Sequence, residues 1–64
     1  MSFELGSDVC LVADSNTRGT VTRMNPLGVA DAMIVRWYQV GATNYVVGEE
    51  TAFFGVKCAE CELV

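Results

Sequence analysis

The side chains best equipped for chemistry in this chain are three cysteines, a carboxylate pair and a set of aromatics. Cys58-Ala59-Glu60-Cys61 is a C-x-x-C, and Cys10 stands alone near the other end. A redox C-x-x-C needs a thiolate stabilised at a helix N-terminus. Only Glu62-Leu63-Val64 follow Cys61, too few residues for that helix. Structural zinc takes four ligands, usually two pairs of Cys or His. The chain has no His, so a site would have to draw on Cys10, Cys58, Cys61 and a carboxylate, or be shared between subunits. These are weak metal candidates. An odd set of thiols without an export signal also argues against a disulfide framework. The preferred reading is three small, buried apolar side chains. Neither metal nor any other cofactor is expected.

Acid–base chemistry has as little to stand on. Without His, no side chain has an ordinary pKa near neutrality. Glu49 and Glu50 are adjacent, so in a strand they point to opposite faces and in a loop they are solvated. Ser2, Ser7 and Ser15 lack a partnered base, and the isolated Gly28 and Gly41 make no phosphate-cradling loop. No catalytic residue is assigned, and the protein reads as one without enzyme activity. Eight acidic residues against four basic ones give a net charge of −4. Arg18, Arg23, Arg36 and Lys57 are too few and too scattered for the basic footprint that nucleic acid requires.

The elements that must position these residues follow from composition. The 64 residues are 52% apolar and 19% charged, which excludes disorder. A domain of this size buries only about 60% of the surface that its unfolded chain exposes, so residues 1–64 form one domain with a small core. Val, Ile and Thr make up 16 residues, and side chains stiff at χ1 suit a pleated sheet. Gly6, Gly19, Pro26-Leu27-Gly28, Gly41, Gly48 and Gly55 punctuate runs of strand length, a spacing typical of a small sandwich or barrel. Strands are predicted over Asp8 to Ala13, Gly19 to Met24, Ala32 to Gln39 and Tyr45 to Val47, with a fifth apolar piece over Phe53 to Val56. Lys57 to Cys61 forms one 3-10 turn before a closing Glu62-Leu63-Val64. Val9, Leu11, Val21, Met33, Val35 and Trp37 fall on inward positions, while Cys10, Val12, Ile34, Arg36 and Tyr38 fall outward. Five or six short strands must then close on each other to remove their edges.

Phe3-x-x-Gly6, Val9-x-Leu11, Gly19-Thr20-Val21, Val35-Arg36-Trp37 and Glu62-Leu63-Val64 together resemble an SH3-like small β-barrel. Tudor and KOW modules share this rhythm, as does the YodC-like group of small bacterial proteins. That group has a Gly-Gly-Pro turn where this chain has Asp14 to Arg18, and this chain has a longer loop around Asn25 to Asp31. The resemblance implies an all-β, SH3-like barrel of five to six antiparallel strands. A Tudor-type likeness implies an aromatic cage from Trp37, Tyr38 and Tyr45, although Trp37 is also needed as core. The plasmid-borne dihydrofolate reductases of SH3-like fold are similar in size, but their Val-Gln-Ile-Tyr pore motif is missing here.

Closing so small a sheet leaves apolar side chains outside it. Cys10, Val12, Ile34 and Tyr38, with Arg36 and one of Phe53 and Phe54, compose a candidate interaction surface on the outer face of the first and third strands. Leu27, Val29 and Val40 add to it from loops. Contiguous apolar patches mark contact surfaces. The expected function is therefore a small interaction module that forms a homo-oligomer or binds a protein partner. The alternatives are a nucleic-acid-associated module using Arg18, Arg23 and Arg36, and a subunit-built enzyme with its site on a symmetry axis. Met1 reads as a native start with no signal peptide, and no run spans a bilayer, so a cytoplasmic protein is expected.

Overall fold

The computed structural model describes residues 3–28 and 30–64. Met1, Ser2 and the expected loop contributor Val29 lie outside the described residues. Five strands make up one antiparallel sheet: β1 (Asp8–Leu11), β2 (Arg18–Met24), β3 (Ala32–Gln39), β4 (Glu50–Phe54) and β5 (Cys61–Leu63). The order across the sheet is β4-β3-β2-β1-β5, and it curls into a half-barrel compatible with an SH3-like fold. A short turn at Pro26–Gly28 and a 3-10 segment at Gly55–Glu60 supply the remaining regular structure.

Period-two alternation builds the core. Val9, Leu11, Val21, Met33, Val35, Trp37, Phe53 and Cys61 pack together on the concave side, with Phe3, Met24, Val40, Tyr45 and Cys58 against them. The β2–β3 register shifts between Arg18 and Gly19 and again between Val21 and Arg23. Such bulges bend a strand and increase its twist, which lets β2 serve both halves of a curled sheet. Gly19 is required where the bend brings β2 against β3. A Cβ there would lie 2.5 Å from Val35 Cγ1, 2.7 Å from the Arg36 carbonyl oxygen and 3.0 Å from the Trp37 ring.

Several expectations need correction. Tyr45 to Val47 is not a strand. Gly48, at φ 91°, donates its N–H to the Trp37 carbonyl, and Trp37 N–H donates to the Glu49 carbonyl. Two residues thus face one, and regular pairing to β3 begins only at Glu50. The strand expected near Phe53 therefore starts at Glu50 and stops at Phe54. β1 ends at Leu11 rather than Ala13, because Asp14 N–H turns back to the Leu11 carbonyl. The 3-10 segment begins at Gly55, and β5 starts one residue earlier than expected. The sheet does not close: β4 and β5 end it, each with one edge unpaired among the described strands.

Gly19→Ala forces a methyl into space already occupied by a side chain and by backbone. We expect it to lower stability by about 1–3 kcal/mol, the cost of overpacking a filled core. Urea unfolding followed by Trp37 fluorescence measures this directly.

Candidate functional site

An open groove of about 660 Å³ lies at the end of the half-barrel where β2 finishes and β3 starts. Met24 and Asn25 reach it from β2, Asp31 to Met33 from β3, and Gly55, Val56 and Cys58 from the 3-10 segment, with Phe3 at its side. A second groove of about 400 Å³ shares Phe3 and Cys58 and extends to Val12, Ala59, Cys61 and Glu62. The lining is mostly apolar, without a base or a nucleophile in a hydrogen-bonded pair. Leu27 and Val56 project from this end almost entirely into solvent, at 98% and 91% exposure. Asn25, Leu27 and Asp31 all have φ near +50°. Asn and Asp tolerate that conformation, whereas for leucine it carries strain.

The sequence marked Phe3 only as part of the Phe3-x-x-Gly6 motif, and Met24 and Val56 only as members of strands. Val56 read as part of an apolar strand. Gly55 before it, at φ 55°, is the residue that ends the strand and turns Val56 outward.

The thiols are placed for packing. Cys61 faces the core, and burial with some help from nearby Cys58 and Glu60 pushes its thiol up to about 12. Cys58 is half-buried, its Sγ 3.6 Å from both the Asp31 and Phe53 carbonyl oxygens. Burial, and secondarily Asp31, raises its pKa. Cys10 is on the outer face of β1 yet buried, its Sγ 3.9 Å from Glu62 Oε1. Among the described residues no cluster of three or more His, Cys, Asp or Glu is arranged to hold a metal ion.

The expected interaction surface is only partly assembled. Val12, Arg36, Tyr38 and Phe54 are exposed and Ile34 is half-buried. Cys10 contributes little, because it is buried. Phe53 is the inward member of the Phe pair, packed edge-on against Trp37 with ring centroids 6.2 Å apart. The aromatic cage is not formed. Trp37 and Tyr45 stack at 4.8 Å with 26° between their planes, leaving no cation-sized gap. Tyr38 is on the other face, where adjacent Asp8 raises its hydroxyl pKa.

A polar clamp not anticipated from the sequence stands at the far end of β3. Thr17, fully buried, donates from Oγ1 to Asp14 Oδ2 (3.0 Å) and accepts from Gly41 N–H (3.0 Å), with Thr43 Oγ1 at 3.4 Å. Asp14 also accepts from the N–H groups of Asn16 (3.1 Å) and Ala42 (2.8 Å). The Asn16 bond, followed by those from Thr17 and Ala42, holds the Asp14 carboxyl below its ordinary 3.8. The sequence hint was Asp14 to Gly19 itself, a composition that bonds its own backbone.

Comparisons with protein-family models, with curated proteins and with solved structures find no match to this chain. Among the described residues no helix is long and apolar enough to cross a membrane.

Two measurements check these placements. A lowered Asp14 pKa contributes stability above pH 3.8, and that contribution is lost as pH falls through the lowered value. Asp14→Asn should therefore be less stable than the parent at neutral pH and show a flatter loss of melting temperature in acid. For the thiols, labelling of Cys61 at neutral pH should be at least about tenfold slower in the native protein than in urea, since only the thiolate reacts. Peptide mapping of the labelled residue reads this out.

Proposed function

We propose that this protein is a self-associating interaction module with no catalytic chemistry of its own. The observation that carries this reading is the amount of large apolar side chain that the half-barrel leaves outside. Leu27 and Val56 stand fully out at the groove end. Val12, Val46, Val47 and Phe54 are about half exposed or more. Isolated exposed apolar residues are ordinary, but this many on so small a fold, with Val12 and Val56 lining the grooves, are the usual mark of a contact surface. A core this small also gains stability by assembly. The buried thiols of Cys10 and Cys61 and the Asp14 carboxylate are engaged in packing and in a turn, which supports a binding role over a reactive one.

The nucleic-acid alternative draws less support. Cross-strand pairing puts Arg18 and Arg36 on the outer face together with Asp8, Glu50 and Glu62, so acids interrupt the basic groups. A barrel of the Tudor or KOW kind would need an uninterrupted basic or aromatic surface for its ligand. The enzyme alternative needs a polar-lined symmetry axis, and the grooves here are mainly apolar.

Sedimentation across the micromolar range tests the proposal. The expected result is a species at twice the 6.9 kDa chain mass or more, dissociating on dilution. A 6.9 kDa species at every concentration would refute it.

A further inference from the structure

The end strand β4 carries a pattern that selects its own copy as a partner. Its pairing with β3 places Ala32 opposite Phe54, Ile34 opposite Ala52 and Arg36 opposite Glu50. Gly55 N–H donates to the Asp31 carbonyl, so in this antiparallel ladder the bonded pairs are Met33–Phe53 and Val35–Thr51. The N–H and C=O groups of Glu50, Ala52 and Phe54 therefore point away from β3, along the open edge of the sheet. Folded proteins ordinarily blunt such an edge with a bulge, a proline or an inward or edge-placed charge. β4 begins with one such charge, Glu50, after the bulge at Gly48 and Glu49, and the Thr51-Ala52-Phe53-Phe54 stretch that follows has none of these.

We propose that two copies of the chain pair antiparallel along β4, with the two-fold axis at Ala52, joining their sheets into one. This rests on the self-association reading and names the surface that performs it. The register is chosen by the residues. With Ala52 opposite its own copy, Glu50 of each chain faces Phe54 of the other, and all three outward-facing residues are used. That makes about six inter-strand hydrogen bonds. A register centred on Glu50 would set two carboxylates face to face, and one centred on Phe54 would leave Glu50 and Ala52 unpaired within the strand.

The side chains agree. On the outer face one row across the joint reads Arg36, Glu50, then the second copy's Phe54 and Ala32. The central row reads Ile34, Ala52, Ala52, Ile34. Each Glu50 stays opposite its own Arg36 and accepts from Thr22 Oγ1 (2.9 Å), so its carboxylate already holds a hydrogen bond when the Phe54 ring of the other copy arrives. Phe54, 48% exposed in the single chain, gains cover. The small Ala52 at the axis lets the strands approach without a clash. A joint of one five-residue strand per copy is smaller than the roughly 800 Å² per partner of a standard interface, the size class of weak and transient contacts.

Two substitutions at Ala52 test this, with sedimentation and circular dichroism on each full-length variant. Ala52→Lys puts like charges opposite each other at the axis, on an outward position that leaves the core untouched. It should weaken the dimer at least tenfold while the dichroism spectrum stays that of the parent. Ala52→Cys sets two sulfurs across a bonded pair whose Cα atoms are about 5.5 Å apart, within disulfide range. It should give a covalent dimer under mild oxidation, where the parent and Phe54→Cys do not. A dimer that survives Ala52→Lys, with no cross-link from Ala52→Cys, would overturn this pairing and leave self-association through another surface, such as the groove. A parent chain that is monomeric throughout would overturn both.

Discussion

The indole of Trp37 organises this half-barrel. Its ring is stacked by Tyr45 on one side and met edge-on by Phe53 on another, and its Nε1–H donates to Thr51 Oγ1 at 2.9 Å. These contacts tie the loop at Tyr45 and strand β4 to β3. The Thr51 bond has the widest effect. It holds Thr51 on the concave side, and strand geometry then sends Phe53 inward and Glu50, Ala52 and Phe54 outward. The core, the identity of the exposed phenylalanine and the composition of the open edge all descend from that one parity. Gly19 is the complement of the same constraint, because only a residue without Cβ leaves room for the ring and the β3 backbone.

Much of this was legible from residue order. Ala32 to Gln39 alternates cleanly, and its boundaries and inward face follow directly from that alternation. Val9, Leu11 and Val21 face inward for the same reason. The fourth strand was not legible, because Tyr45-Val46-Val47 has stronger strand chemistry than Glu50-Thr51-Ala52. What decides between them is the two-against-one pairing of Gly48 and Glu49 with Trp37, together with the preference of Tyr45 for stacking on the indole. Both are tertiary facts that propensity does not contain. Cys10 shows the converse limit. Parity puts it in register with Arg18 and Glu62, yet it is buried, and alternation says nothing about cover.

The candidate sites divide along the same line. The groove at the end of the half-barrel is built from residues that look like ordinary core or turn members one at a time: Phe3, Met24, Met33 and Val56. Only curvature of the sheet assembles them. The clamp of Asp14, Thr17 and Gly41 was half visible as a turn sequence, but its second half comes from a loop more than twenty residues away. The thiols, the most conspicuous chemical groups in the chain, serve as apolar filling, and the more consequential surfaces are made of alanine, valine and backbone.

The position of β5 has a bearing on how the chain reaches this state. β5 pairs with β1, Val9 against Leu63 and Leu11 against Cys61, so the first strand receives its second neighbour only from the last residues of the sheet. Such a contact spans nearly the whole length and must overcome a large loop-closure entropy before any bond rewards it. The β2–β3 ribbon, by contrast, joins segments adjacent in order. Folding should therefore advance from that central hairpin and finish with a slow zipping of the two ends, and a nascent chain would hold β1 unprotected until its final strand was free to dock.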